Sequence, residues 1–163
     1  AKDLGYTPRI LDAVEAVNYD QKHVISKKVF KRFGNDLSGK TFGVWGLSFK
    51  PETDDMREAS SITIINDLTT AGANIVAYDP KARHEAEHFY LKGNMHVSYV
   101  DRKYDALKDA DAIILVTEWQ EFRSPDFDEM KKLLKTPIFF DGRNQFDKER
   151  MRKIGFEYFQ IGV

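Results

Sequence analysis

The sequence predicts an α/β fold: a doubly wound parallel sheet of about six strands, covered by helices on both faces and preceded by one long N-terminal helix. Three observations carry this. From Lys40 onward, apolar runs of strand length alternate with segments of helical pattern. The run AIILVT (residues 112–117) is nearly all apolar, as expected of a parallel strand buried on both faces. Ahead of Lys40, apolar residues recur at near-helical spacing with no proline after Pro8.

The first element spans Thr7 to Phe33. Thr7 can cap it and Pro8 suits the first helical position. Ile10, Leu11, Val14, Val17, Val24, Ile25, Val29, Phe30 and Phe33 form its stripe, and Gly34-Asn35 offers a stop. A helix of this length either straps across the domain or projects from it to pack on something else; composition leaves both open. This gives two parts, residues 1–36 as helix and 37–163 as the sheet domain.

The first strand is TFGVWGLSF (41–49), and a polar loop then leads to a helix over about Ala59–Ala71 with Gly72 as its stop. ANIVAYDP (73–80) is the second strand, and KARHEAEHF a solvated helix. MHVSYV is a weaker third strand, YDALKDA a short helix and AIILVT the fourth strand. A helix at Phe127–Leu134, the strand PIFFDG, the helix KERMRKIG and the strand FEYFQIG (156–162) complete the order. There is no internal repeat and no low-complexity segment.

Bulk properties narrow the function. A chain of 163 residues, 42% hydrophobic and 31% charged, can bury a core of ordinary size. A net charge of −1 supplies no global field for nucleic acid or an acidic membrane, so any bound anion must meet local cations. No apolar run approaches membrane-spanning length, and the polar opening AKDLGYTPRI lacks a signal-peptide pattern, so the expected location is the cytoplasm. The absence of cysteine removes disulfides, thiolate metal sites and a cysteine nucleophile. The opening without Met suggests a piece of a longer protein.

Ligands of doubly wound folds bind outside the carboxyl ends of the strands. Here that rim comprises Gly46–Arg57, Thr117-Glu118-Trp119 and Asp141-Gly142-Arg143-Asn144. Gly43 and Gly46 make G-x-x-G, not the dinucleotide fingerprint G-x-G-x-x-G. Lys50 past the strand and Arg57 before the helix can both face an anion at a helix N-terminus. They can equally pair with Glu52, Asp54, Asp55 or Glu58. Asp54 and Asp55 can cap the helix, orient Arg57 or accept bonds from ligand hydroxyls. Asp79, ending the second strand, sits where dinucleotide folds place a ribose-binding carboxylate, about a dozen residues later than the usual spacing. Arg143 either faces a ligand or pairs with Asp141 or Asp147.

At these residues the chain becomes recognisable. GLSFKPETDDMREASS resembles the signature of the UDP-glucose 6-dehydrogenase family, in its C-terminal, UDP-binding domain. AVNYDQ resembles the family's central helix, and YDPKA, VTEWQEFR and FDGRN match further family motifs in order. The resemblance implies a Rossmann-like domain in which Phe49, Lys50 and Arg143 contact the UDP-sugar, while Arg57 reaches an NAD held by a separate domain. It implies a full enzyme that oxidises UDP-glucose to UDP-glucuronate with two NAD, through a cysteine nucleophile that lies upstream of this region. This chain alone should then be inactive. TDDMREA and TEW look like the UDP-glucose subgroup rather than the N-acetylmannosamine one. The resemblance also makes the Thr7–Phe33 helix an interdomain connector and homodimer interface. The alternatives are a free-standing nucleotide-binding regulatory module and a structural dimerisation module.

Other features read blandly. His84-Glu85-Ala86-Glu87-His88 matches the zinc-protease H-E-x-x-H, but no third ligand is evident, so no metal site is expected. Trp45 and Trp119 read as core or pocket wall. Lys27, Lys28, Lys31 and Arg32 read as a solvated helix face that could instead meet an acidic ligand or subunit. Ser60-Ser61 read as helix capping or packing residues.

Overall fold

The computed structural model describes residues 9–162; Thr7 and Pro8, named above as a helix start, lie outside the described residues. The elements are α1 (Arg9–Lys22), α2 (Val24–Phe33), β1 (Thr41–Trp45), α3 (Ser60–Thr70), β2 (Asn74–Tyr78), α4 (Arg83–Glu85), β3 (Val97–Tyr99), β4 (Ala112–Leu115), α5 (Phe127–Leu133), β5 (Ile138–Asp141), α6 (Lys148–Lys153) and β6 (Glu157–Gln160). Six strands form one sheet in the order β3-β2-β1-β4-β5-β6, with every pairing parallel. Strand order reverses between β1 and β4, which creates a crevice at their carboxyl ends.

Alternation along each strand divides the core between the two faces. Phe42, Val44, Ala112, Ile114, Ile138 and Phe140 join Ile25 and Val29 of α2 and Ile64, Ile65 and Leu68 of α3. Trp45, Ile113, Leu115 and Phe139 face the other way, onto Leu107, Phe122, Met130 of α5 and Met151 of α6. Side-chain caps define two helix starts: Asp126 accepts from the amides of Asp128 and Glu129, and Asp147 accepts from that of Arg150.

Three expectations change. The single N-terminal helix is broken at His23, which lies between α1 and α2 as a turn. Its ring bonds Asp67 of α3 at 2.7 Å, Ser26 donates to the same carboxylate, and Lys22 pairs with Glu58. Side-chain anchoring on α3 thus coincides with the interruption. The halves behave differently. In α2, Ile25, Ser26 and Val29 are buried, so this half is a strap. In α1 nothing is buried, and Ile10, Leu11, Val14, Val17 and Tyr19 are exposed, so this half projects. Second, β1 ends at Trp45, four residues early, because Gly46 turns the chain at φ 90°. A Cβ there would lie 2.6 Å from Thr117, so only glycine lets the loop pass the end of β4. Third, the solvated helix at 81–89 is a single α turn running into a π turn, Ala86–Tyr90, closed by Leu91 N–H onto the Ala86 carbonyl at 2.8 Å.

Candidate functional site

Two buried aspartates organise the rim. Asp79, past the end of β2, accepts from the amides of Leu47 (2.6 Å), Ser48 (3.1 Å), Lys81 (2.9 Å) and Ala82 (2.7 Å), from the Ser48 hydroxyl (3.4 Å) and from Trp119 Nε1 (3.1 Å). Asp79 stands where dinucleotide folds place a ribose-binding carboxylate, but its oxygens are already committed to donors from three strand ends. Asp141, at the end of β5, accepts from the amides of Arg143 (2.8 Å), Gln145 (2.8 Å) and Phe146 (3.3 Å) and from the Tyr158 hydroxyl (2.5 Å). Burial and this bond to Asp141 push the Tyr158 phenol well above its usual range. Thr117 adds a hydroxyl bond to the Ser48 carbonyl at 2.5 Å, and Ser61 one to the Leu47 carbonyl.

On this frame the loop after β1 is folded back on itself, with Phe49 N–H bonded to the Asp55 carbonyl at 2.8 Å. Phe49 is left half exposed. Lys50 is exposed and makes no hydrogen bond or ion pair among the described residues; its charge helps hold Asp55 ionised. Arg57 takes the ion-pair alternative: Nε and Nη2 embrace Asp55, the closest contact being 2.6 Å, and its amide bonds the same carboxylate. Those bonds hold Asp55 down at about 2. Glu52 is paired with Lys81 at 3.3 Å and Glu58 with Lys22.

Arg143 crosses the reversal point. Nε donates to the Val116 carbonyl (2.7 Å), Nη2 donates to the Phe49 carbonyl (3.2 Å), and Glu118 Oε2 lies 2.8 Å from Nε. Its carboxylate partner is therefore Glu118. Asp141 holds its backbone instead, and Asp147 is spent capping α6. Phe49 and Arg143 share a cleft of about 890 Å³ with Ser60 and Glu58, walled on the other side by Glu15, Asn18, Tyr19, Gln21 and Lys22 at the end of α1. Sequence reading placed Glu118 on the rim but did not pair it with Arg143; it lies three residues beyond the end of β4, at the reversal point.

Rings of His84 and His88 stack at 4.3 Å, and among the described residues no group of three or more His, Cys, Asp or Glu could hold a metal. Trp45 and Trp119 are buried core residues whose indoles donate to the Lys103 carbonyl and to Asp79. Arg32 Nε donates to both carboxylate oxygens of Glu157, and Lys27 reaches Asp20 at 3.4 Å. No helix among the described residues is long and apolar enough to cross a membrane.

Sheet order and rim define a Rossmann-like, doubly wound α/β domain with its ligand-facing crevice between β1 and β4. Residues 43–148 match the UDP-glucose/GDP-mannose dehydrogenase family, UDP binding domain, and the chain belongs to that family. UDP-glucose 6-dehydrogenases of Rhizobium meliloti (strain 1021) and Pseudomonas aeruginosa are 38% and 39% identical to it over 162 and 164 residues. Each alignment covers 99% of this chain, which spans only 36% of the length of those relatives. A solved UDP-glucose dehydrogenase from the archaeon Pyrobaculum islandicum superposes with a TM-score of 0.78 at 27% identity, covering 98% of this chain and 33% of its own.

Proposed function

We propose that this chain is the UDP-sugar-binding part of an NAD-dependent UDP-glucose 6-dehydrogenase, with Phe49, Lys50 and Arg143 as the UDP-sugar contacts. The observation that carries the reading is Arg143. It reaches from the end of β5 to the Phe49 carbonyl, so that a guanidinium and a half-exposed ring line one cleft, with Lys50 next to Phe49 in the chain. A guanidinium and an ammonium suit a diphosphate, and the ring suits a base or sugar face. The glucose sugar follows the relatives' names and the TDDMREA and TEW motifs.

The residues described do not fit the ADP half of an NAD. The fingerprint glycines are missing, and the carboxylate at the end of β2 is filled by internal donors. NAD is accordingly assigned to the part of the longer enzyme outside this chain, with Arg57 at the exposed rim as its contact from this side. With no cysteine in the sequence, this chain by itself carries no nucleophile for the oxidation and is inactive alone. The exposed apolar face of α1 is the natural dimer surface, in keeping with a connector helix. The cytoplasm remains the expected compartment.

Thermal unfolding tests the binding role. UDP or UDP-glucuronate at 100 times its Kd adds about 2.7 kcal/mol to the folded state and raises Tm. No shift at millimolar UDP overturns binding by this chain. A response to NAD alone would instead favour a free-standing nucleotide-binding regulatory module.

A further inference from the structure

β6 is an edge strand: β5 lies on one side of it, and no strand among the described residues lies on the other. Glu157 N–H bonds the Pro137 carbonyl at 2.8 Å, on the β5 side. Successive residues of a strand aim their main-chain groups to opposite sides, so Tyr158 and Gln160 turn N–H and C=O outward. Among the described residues, neither makes a main-chain bond beyond the sheet. Sheet edges are commonly blunted by proline or lysine in the strand, by a bulge or by a covering element. β6, with the sequence EYFQ, has no proline or lysine and keeps unbroken register with β5 from Glu157 to Gln160. The edge instead lies in a second, smaller cleft of about 400 Å³ between two helices. On one face of the sheet α2 supplies Lys28, Lys31 and Arg32; on the other α6 supplies Lys148 and Arg152. Five cations thus face a single carboxylate, Glu157, both of whose oxygens Arg32 Nε already holds. Lys31 and Lys148 make no hydrogen bond or ion pair among the described residues. In a chain of net charge −1 this is a local concentration of positive charge.

We propose that the β6 edge takes up an extended acidic peptide segment of a partner protein as a seventh strand. The site lies along the side of the sheet, beyond β5 from the crevice between β1 and β4, and does not depend on the UDP-sugar reading. A strand added here meets the outward N–H and C=O groups of Tyr158 and Gln160 and sends alternate side chains to the two faces of the sheet. Because α2 and α6 both present cations, carboxylates are accommodated at consecutive positions and not only at every second one. The same charges select among occupants. A second copy of this chain brings its own five cations to the edge and is repelled. A nucleic-acid phosphate backbone meets the cations but offers no hydrogen to the outward carbonyls of Tyr158 and Gln160. An acidic peptide supplies carboxylates for the walls and both donors and acceptors for the edge.

Fluorescence anisotropy of the labelled peptide EDVEDVED, titrated with the full chain, measures binding, and amide hydrogen exchange followed by NMR locates it. The peptide is expected to bind, more weakly as salt is added, and to protect the Tyr158 and Gln160 amides from exchange. Two altered peptides separate its two kinds of contact. QNVQNVQN, which lacks the charges, and EDVEDVED N-methylated at alternate residues, which cannot pair as a strand, should each bind roughly tenfold more weakly or worse. The double variant K31E/K148E should weaken EDVEDVED by a similar factor and keep its urea midpoint, since neither lysine holds a partner among the described residues. The unsubstituted protein decides the matter even if that variant does not fold. No binding at millimolar peptide overturns the proposal. So does binding without protection of Tyr158 and Gln160, or binding indifferent to N-methylation or to K31E/K148E. A single-stranded DNA oligonucleotide that binds as tightly as the peptide would also overturn it, by showing an unselective anion patch.

Discussion

Asp79 and Trp119 meet across the top of β1: the indole Nε1 donates to Asp79 Oδ2 at 3.1 Å, tying the end of β2 to the loop after β4. The same oxygen takes the amides of Leu47 and Ser48, so one buried carboxylate sets the relative positions of three rim segments. Asp79→Ala leaves five N–H groups without their acceptor and is expected to destabilise the fold by about 3 kcal/mol or more. Trp119→Phe removes one donor and a polar edge, for a loss of about 1–3 kcal/mol. Urea denaturation read by fluorescence of Trp45 measures the second, and circular dichroism the first.

Lys50 and Arg143 separate binding from stability. Lys50→Ala is expected to leave Tm without ligand nearly unchanged, since Lys50 is exposed and holds no partner among the described residues. It should still weaken UDP binding by roughly 10- to 100-fold, the worth of one charge-assisted hydrogen bond. Arg143→Ala should weaken UDP at least as much and also lower Tm, because it frees the Phe49 and Val116 carbonyls and strips Glu118 of its counter-charge. Equal Tm in both variants would contradict this division.

Acid should act on Asp55. Hydrogen bonds from the Arg57 guanidinium and amide favour its charged form and hold it at about 2. Because the folded value is depressed, the associated stability is present above the ordinary carboxylate pKa of about 3.9 and is lost as pH falls from there through about 2. Carbon-13 NMR of the aspartate carboxyls should show one group titrating near 2, and Arg57→Ala should return it towards the ordinary value. An unchanged midpoint in that variant would exclude Arg57 as the cause.

Gly46→Ala asks a left-handed residue to carry a Cβ against Thr117. A loss of at least about 2 kcal/mol is expected from strain and overlap together, with the loop bearing Phe49 and Lys50 displaced. Amide hydrogen exchange across residues 46–57 would register the displacement as lost protection.

The apolar face of α1 predicts self-association. If that face joins two copies, the double change Val14→Asp and Val17→Asp should halve the mass seen by sedimentation without lowering the stability of the sheet domain, since neither residue is buried. A monomer before substitution would remove the dimer proposal.

How much of this could be read without coordinates depends on where the determining contact lies. The central strands β1, β4 and β5 were legible because they are apolar enough to be buried on both faces, a property local to AIIL or IFFD. The rim followed from topology, and with it the placement of Phe49, Lys50, Arg57 and Arg143. The break at His23 was not legible, because local periodicity continues across it; its contact is with Asp67, 44 positions away. The role of Asp79 was not legible for a related reason. Its position suggested a ribose, but its donors come from Leu47, Ser48 and Trp119, and only folding brings them near. The partner of Arg143 was sought among its sequence neighbours Asp141 and Asp147 and found on the next strand over.

The joint at His23 also has a mechanical meaning. α2 is anchored in the core, α1 is not, and the far wall of the larger cleft is made from the last turns of α1. Fourteen helical residues make a lever about 21 Å long. Turning it by about 10° around the His23 pivot moves its free end by roughly 4 Å and the cleft wall near the pivot by far less. Forces applied far out along α1 are therefore geared down, at the cleft, to adjustments on the scale of a hydrogen bond.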